Sequence, residues 1–240
     1  MRESESATAA AAAAEATVLI ADDHPLFRDA LQAVIVSGFT DTQLFEADSL
    51  AAAMARIDTQ EGLDLLLLDL SLPDADGLEG LKTLRETFPW LPVAIVSAHQ
   101  ERQLVLDAIT LGAVGYIPKS TPRAQLLAAL QQILQGQLYL PADIMRRPPP
   151  PSRAASVASP STTPTSRLTR LTEKQLDVLS CMSQGMSNKQ IARELNIAET
   201  TVKTHVSAIL RKLGASSRVH AIVMAGEEDL SGYLAKRPAR

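Results

Sequence analysis

The chain has 240 residues, enough for two ordinary domains, and its 46% hydrophobic content with only 3% aromatics calls for a core of Leu, Val, Ile and Ala. Its one cysteine, Cys181, excludes an intramolecular disulfide, and no apolar run reaches the roughly 18 residues of a membrane span. The net charge of −4 hides an asymmetry: residues 1–140 hold 8 Lys and Arg against 19 Asp and Glu, whereas residues 141–240 hold 15 against 8, so the second half suits a polyanionic partner.

Residues 1–16, "MRESESATAAAAAAEA", carry acids where a signal peptide is basic. They read as a disordered arm; with one cysteine suiting a reducing compartment and no membrane span, the expected location is cytoplasmic, without membrane contact. Strand and helix patterns then alternate. Apolar runs over 17–21, 43–47, 63–70, 92–98 and 113–118 read as strands. Helical spacing runs over 25–38, 48–57, 77–88, 101–112 and 122–136, with Asp48 as a candidate cap and Gly112 past a helix end. The near-continuous apolar strands predict a sheet covered on both faces, hence a doubly wound five-stranded parallel α/β domain. Residues 146–167, "RRPPPPSRAASVASPSTTPTSR", have a linker composition. Beyond it only helices follow, over 172–185, 187–196, 199–214 and 217–228.

Chemistry in an open parallel sheet collects at the carboxyl ends of its strands. The first strand ends in Asp22 and Asp23, the third in Asp69 and the fourth in Ser97, and Lys119 follows the fifth. Crowded carboxylates repel one another, and an oxygen-only ligand set with room for water suits Mg²⁺. Asp69, on the central strand, is the candidate nucleophile for a phosphoryl group, with Lys119 and Ser97 as its contacts. Taken singly the residues mean less: "DHP" at 23–25 also starts a helix, and Asp74 and Asp76 read as turn residues before Gly77.

"LIADDHPLFRDAL", "LLLLDLSLPDADG", "VAIVSA" and "GAVGYIPKS" resemble the signatures of response-regulator receiver domains, over roughly residues 17–136. The resemblance implies a flavodoxin-like fold, Asp69 as phosphoacceptor, and Mg²⁺ held by Asp22, Asp23, Asp69 and the backbone carbonyl of Ser71. It makes Ser97 and Tyr116 the switch pair, with Tyr116 turning inward on phosphorylation, and Lys119 the phosphate-binding lysine. Ser120 departs from the proline of many receivers, and Ser71 and His99 occupy positions that tune acyl-phosphate lifetime.

In the basic half, Ser187 and Gln190 form a candidate capping box, and Asn196-Ile197 a turn between two helices. Val202, Val206, Ile209 and Leu213 share one helix face; Thr200, Lys203, Thr204, Ser207 and Arg211 share the other. A short, polar, cationic face suits a major groove. The stretch from Leu171 to about Gly226 resembles the LuxR-type (NarL/FixJ-like) DNA-binding domain. By that resemblance Lys203, Thr204 and Ser207 face bases, Asn188, Lys189, Thr201 and Lys212 lie nearer phosphates, and the last helix, with Val219, Ile222 and Val223, is a dimer surface. Lys174-Gln175 and Ser207 depart from the family pattern, the latter bearing on sequence preference.

The expected organisation is an arm (1–16), a receiver (17–140), a linker (141–167), an all-α helix-turn-helix domain (168–232) and a tail (233–240). The expected function is a transcription regulator, not an enzyme, phosphorylated at Asp69 by a sensor histidine kinase with Mg²⁺ and dimerising on double-stranded DNA. A rival is an aspartyl phosphatase similar to haloacid dehalogenases, but these want a second acid where this chain has Ser71. A third reading is a receiver acting unphosphorylated through protein contact.

Overall fold

A computed structural model describes residues 16–39, 41–60, 62–145, 167–227 and 230. The N-terminal arm up to residue 15, residues 146–166 of the expected 141–167 linker, and the C-terminal tail therefore lie outside the described residues.

Strands β1 (Thr17–Ala21), β2 (Gln43–Ala47), β3 (Leu65–Leu68), β4 (Val93–Ser97) and β5 (Gly115–Pro118) form one sheet in the order β2-β1-β3-β4-β5, with every pairing parallel. β3 and β4 are buried at every position, as their unbroken apolar runs require; β2, at an edge, is buried only at Ala47. Helices α1 (Pro25–Gly38) and α5 (Arg123–Leu134) cover one face through Leu31, Ile35, Leu126 and Leu130. Helices α2 (Leu50–Thr59), α3 (Glu79–Thr87) and α4 (Arg102–Thr110) cover the other through Ala53, Ile57, Leu81, Leu84 and Val105. This order reverses the winding direction between β1 and β3, which opens a crevice at the carboxyl ends of those two strands.

Two local details differ from the sequence reading. Asp48 does not cap α2: Ser49 is the N-cap, its Oγ accepting from the Ala52 amide. The other free amides of that first turn, Leu50 and Ala51, donate to the carboxylate of Asp74 at 2.7 and 2.8 Å. Asp74 is thus more than a turn residue: it ties the loop after β3 to the start of α2, 24 residues earlier. Burial works to raise its pKa, but the amides of Ala51, Leu50 and Asp74 itself outweigh that and lower it.

After the short helix α6 (Ala142–Met145), the described chain resumes with a 3-10 turn at Arg167–Arg170. It continues as α7 (Glu173–Ser183), α8 (Asn188–Leu195), α9 (Glu199–Leu213) and α10 (Arg218–Glu227). The Ser187–Gln190 capping box forms, and a second one, Thr172–Gln175, opens α7. Asn196 closes α8 in the left-handed region (φ 50°), which an Asn tolerates at little cost. Val202, Val206, Ile209 and Leu213 all enter the core of this unit, with Leu179, Met182 and Ile191 opposite. Cys181 is packed there too, and burial raises its thiol pKa. Among the described residues no helix is long and apolar enough to cross a membrane.

Candidate functional site

β1 and β3 end side by side, with the Asp69 amide donating to the Ala21 carbonyl at 2.8 Å. That register brings Asp22 and Asp69 together, both almost fully buried. Ligand atoms of Asp22, Asp23, His24 and Asp69 lie within 4.8 Å of one another. Lys119 reaches in from the end of β5, its Nζ 2.7 Å from Asp22 Oδ2 and 2.8 Å from Asp69 Oδ2. Burial alone would lower the lysine pKa, but hydrogen bonds and charge from Asp22 and Asp69 prevail and raise it, so the ammonium stays charged. The ring of Phe27 flanks it, with its centroid 4.6 Å from Nζ.

One lysine is too little for three carboxylates. Asp69 Oδ1 is buried and has no hydrogen-bond partner among the described residues, a costly state unless a cation or a covalent bond takes it up. His24 Nδ1 approaches Asp23 Oδ1 at 2.6 Å, and its amide donates to Asp22 Oδ1 at 2.9 Å. The acidic cluster therefore fits a hard divalent cation bound through oxygen. Ser71, whose carbonyl the sequence offers as a ligand, lies two residues past Asp69 on an exposed loop.

Ser97 and Lys119 are neighbours as expected, the Lys119 amide donating to the Ser97 carbonyl at 2.8 Å. Ser97 is fully buried, and its Oγ accepts from the His99 amide. The ring of Tyr116 is fully buried, with its hydroxyl donating to the His99 carbonyl at 2.9 Å.

On the second unit, Thr201 and Thr204 on α9 are exposed, and Ser207 is half-buried with Oγ donating to the Lys203 carbonyl. Lys203 is not displayed to solvent. Its Nζ sits 4.1 Å from the centroid of Trp90, between α3 and β4, and 3.6 Å from Glu199, leaving the side chain 14% exposed. Asn188 is buried, accepting from Arg218 Nη1, and Lys212 Nζ donates to Gln175 Oε1 at 2.8 Å. These two expected phosphate contacts are thus engaged within their own domain, while Lys189 and Thr201 lie at the helix starts. Sequence reasoning missed Trp90, because one tryptophan after a proline carries no periodic signal.

The two halves also meet elsewhere. A Cβ at Gly112, after α4, would lie 2.3 Å from the Ser216 carbonyl, and one at Gly185 would lie 2.5 Å from that of Gln135. Both glycines have positive φ, 103° and 79°, and their lack of a side chain permits the approach.

Residues 18–131 match the family described as response regulator receiver domain, and residues 169–225 match bacterial regulatory proteins of the luxR family. The chain belongs to the response regulators that join a receiver to a LuxR-type DNA-binding domain. It is 51% identical over 217 residues to the glycerol metabolism activator of Pseudomonas putida, spanning 90% of this chain and 98% of that one. It is 35% identical to the nitrate/nitrite response regulator NarL of Escherichia coli K12, over 89% of this chain and 96% of that protein. Among solved structures, a LuxR-family two-component response regulator from Aurantimonas aligns with TM-score 0.50 and 28% identity, over 55% of this chain and 94% of that one. The RcsB response regulator of Salmonella typhimurium shares the fold at TM-score 0.51 and 20% identity, over 88% and 99%. These relatives are transcriptional response regulators of two-component systems, and the chain is a DNA-binding transcription regulator of that type.

Proposed function

We propose that Asp69 is the phosphoacceptor and that its phosphorylation by a sensor histidine kinase controls DNA binding by the second domain. The carrying observation is the meeting of Asp22, Asp23, Asp69 and Lys119 at one sheet edge, with a buried Asp69 oxygen that no described residue satisfies. In this reading Asp22, Asp23, Asp69 and the Ser71 carbonyl hold Mg²⁺, which supplies positive charge beside the transferred phosphoryl oxygens. Asp69 attacks the phosphorus of a phosphohistidine, and the imidazole leaves. Lys119 exchanges its carboxylate contacts for a phosphate oxygen, and Ser97 gives up its contact with the His99 amide to donate to another. Tyr116 reports the change through the carbonyl of His99.

For the DNA-binding half, Lys203, Thr204 and Ser207 read bases, and Lys189 and Thr201 contact phosphates. Asn188 and Lys212, held by Arg218 and Gln175, lie nearer the phosphates. Phosphorylated chains pair as homodimers, with Val219, Ile222 and Val223 of α10 in the contact. The receiver spans 17–140 and the DNA-binding domain 168–232, within the cytoplasm. The relative at 51% identity is named an activator, which supports activation as the sense of the response.

Labelling with acetyl phosphate and Mg²⁺ tests the first step. Wild type takes up one phosphoryl group and Asp69→Asn takes up none; label retained by the variant moves the acceptor elsewhere. Sustained hydrolysis of a generic phosphate ester would instead favour the phosphatase reading.

A further inference from the structure

Asp22 is restrained at three points. Its amide donates to the Ala47 carbonyl at 3.1 Å, at the end of β2. Its carboxylate accepts from the His24 amide. Its own carbonyl accepts from Arg28 Nη1, on α1, at 2.6 Å. The same guanidinium is fixed by Glu46, whose Oε2 accepts from Arg28 Nε at 2.9 Å. Glu46 is the neighbour of Ala47, so a closed ring runs from β2 through Arg28 to Asp22 and back to β2. Arg28 is largely buried, its side chain 15% exposed. It stands beside a cluster of acids yet has its hydrogen bonds on a carbonyl and on Glu46.

We infer that Arg28 is a positioning residue for metal-dependent phosphorylation, holding the Asp22 carbonyl so that the Asp22–Asp23 pair meets Asp69 already in place for a divalent cation. The inference rests on the reading of Asp69 as a Mg²⁺-assisted phosphoacceptor and adds the part that sets its metal affinity. Two physical effects of Arg28 oppose each other. Its positive charge repels a cation, whereas its hydrogen bond preorganises the ligands. Partners that orient metal ligands typically change affinity by 10- to 100-fold, and a charge already paired with Glu46 does less. Preorganisation therefore wins.

The test is Mg²⁺ titration of the full chain by calorimetry, beside acetyl-phosphate labelling rates across Mg²⁺ concentrations. Arg28→Met and Arg28→Lys are expected to weaken Mg²⁺ binding about tenfold, while the labelling rate at saturating Mg²⁺ stays within about twofold of wild type. Glu46→Gln keeps the carbonyl bond but loosens its anchor, so it shifts affinity in the same direction by less. It also keeps the test decisive if the Arg28 variants fold poorly. Unchanged or tighter Mg²⁺ binding by Arg28→Met overturns the inference, as does a loss confined to the saturated rate. A wild-type chain that binds no Mg²⁺ and takes no label refutes the underlying reading as well; a normal wild type beside normal variants refutes only the role of Arg28.

Discussion

The contact between Lys203 and Trp90 gives the domain arrangement a measurable energy. Replacing Trp90 by Ala removes a cation–π pair worth roughly 0.5–1 kcal/mol when exposed and about 2 kcal/mol when shielded from water. With Lys203 14% exposed, the upper half of that range applies, about 1–2 kcal/mol. That corresponds to about a 5- to 30-fold shift from docked to free Lys203. Where the docked form predominates, the apparent dissociation constant for DNA falls by the same factor. The assay is fluorescence anisotropy of a labelled duplex recovered from genomic mapping, in an Asp69→Asn background so that phosphorylation plays no part. Trp90 also packs edge-on against Phe88, 6.5 Å between centroids, so receiver melting is followed in parallel. A variant that folds normally and binds DNA with unchanged affinity refutes the argument that this contact restrains α9. Because Trp90 is the chain's only tryptophan, wild-type emission reports the same event and is expected to change on phosphorylation.

Two further perturbations probe charge. Lys119→Met leaves the buried carboxylates of Asp22 and Asp69 facing each other unpaired, so stability without divalent cation drops by about 3 kcal/mol and recovers with Mg²⁺; equal melting curves would contradict this. Asp64 has its pKa pushed up to about 6, first by burial and then by Glu199, against the Thr17 amide, Lys189 and Lys203. A raised acid stabilises the folded state fully below its unfolded value near 4, and loses that contribution as pH rises through about 6. Asp64→Asn is therefore expected to gain stability over wild type at pH 7 but not at pH 4, and a pH-independent difference would rule this out.

The acidic pocket was readable from the sequence because each member sits at the end of a strand with a strong local pattern. Leu65–Leu68 announces where Asp69 must emerge, and the same holds for Asp22 after β1 and Ser97 on β4. The helix-turn-helix was readable because Val202, Val206, Ile209 and Leu213 repeat at helical spacing. What escaped are side chains whose partners are distant in the chain. Asp74 binds amides 24 and 23 residues away, and Arg28 reaches Glu46 across 18. The partners of Asn188 and Lys212 escaped as well, because polarity alone does not reveal Arg218 or Gln175 opposite. Tyr116 could be placed on β5 but not oriented, since the side of the switch a ring occupies is a packing question.

The pocket and the restrained lysine lie at opposite ends of the sheet. Asp69 follows the last residue of β3 and Asp64 precedes its first, five residues apart, or about 17 Å of extended chain. A strand buried at every position has no second arrangement to adopt, so β3 is a poor carrier of the signal. Helix α4 is better placed. It starts beyond His99, which bonds both Ser97 and Tyr116, and just past its end Gly112 lies against the Ser216 carbonyl. A shift of His99 on phosphorylation would move α4 and press its far end on the turn between α9 and α10. Gly112→Ala imitates that pressure. A methyl there meets the Ser216 carbonyl at 2.3 Å, too close to coexist with the docked arrangement, and φ 103° adds local strain whichever way the domains sit. Strain alone lowers receiver stability without touching DNA. Pressure on Ser216 raises the DNA affinity of the unphosphorylated chain, alongside that loss of stability. Anisotropy and receiver melting measured on the same variant separate the two, and a destabilised receiver with wild-type DNA affinity would remove α4 from the route.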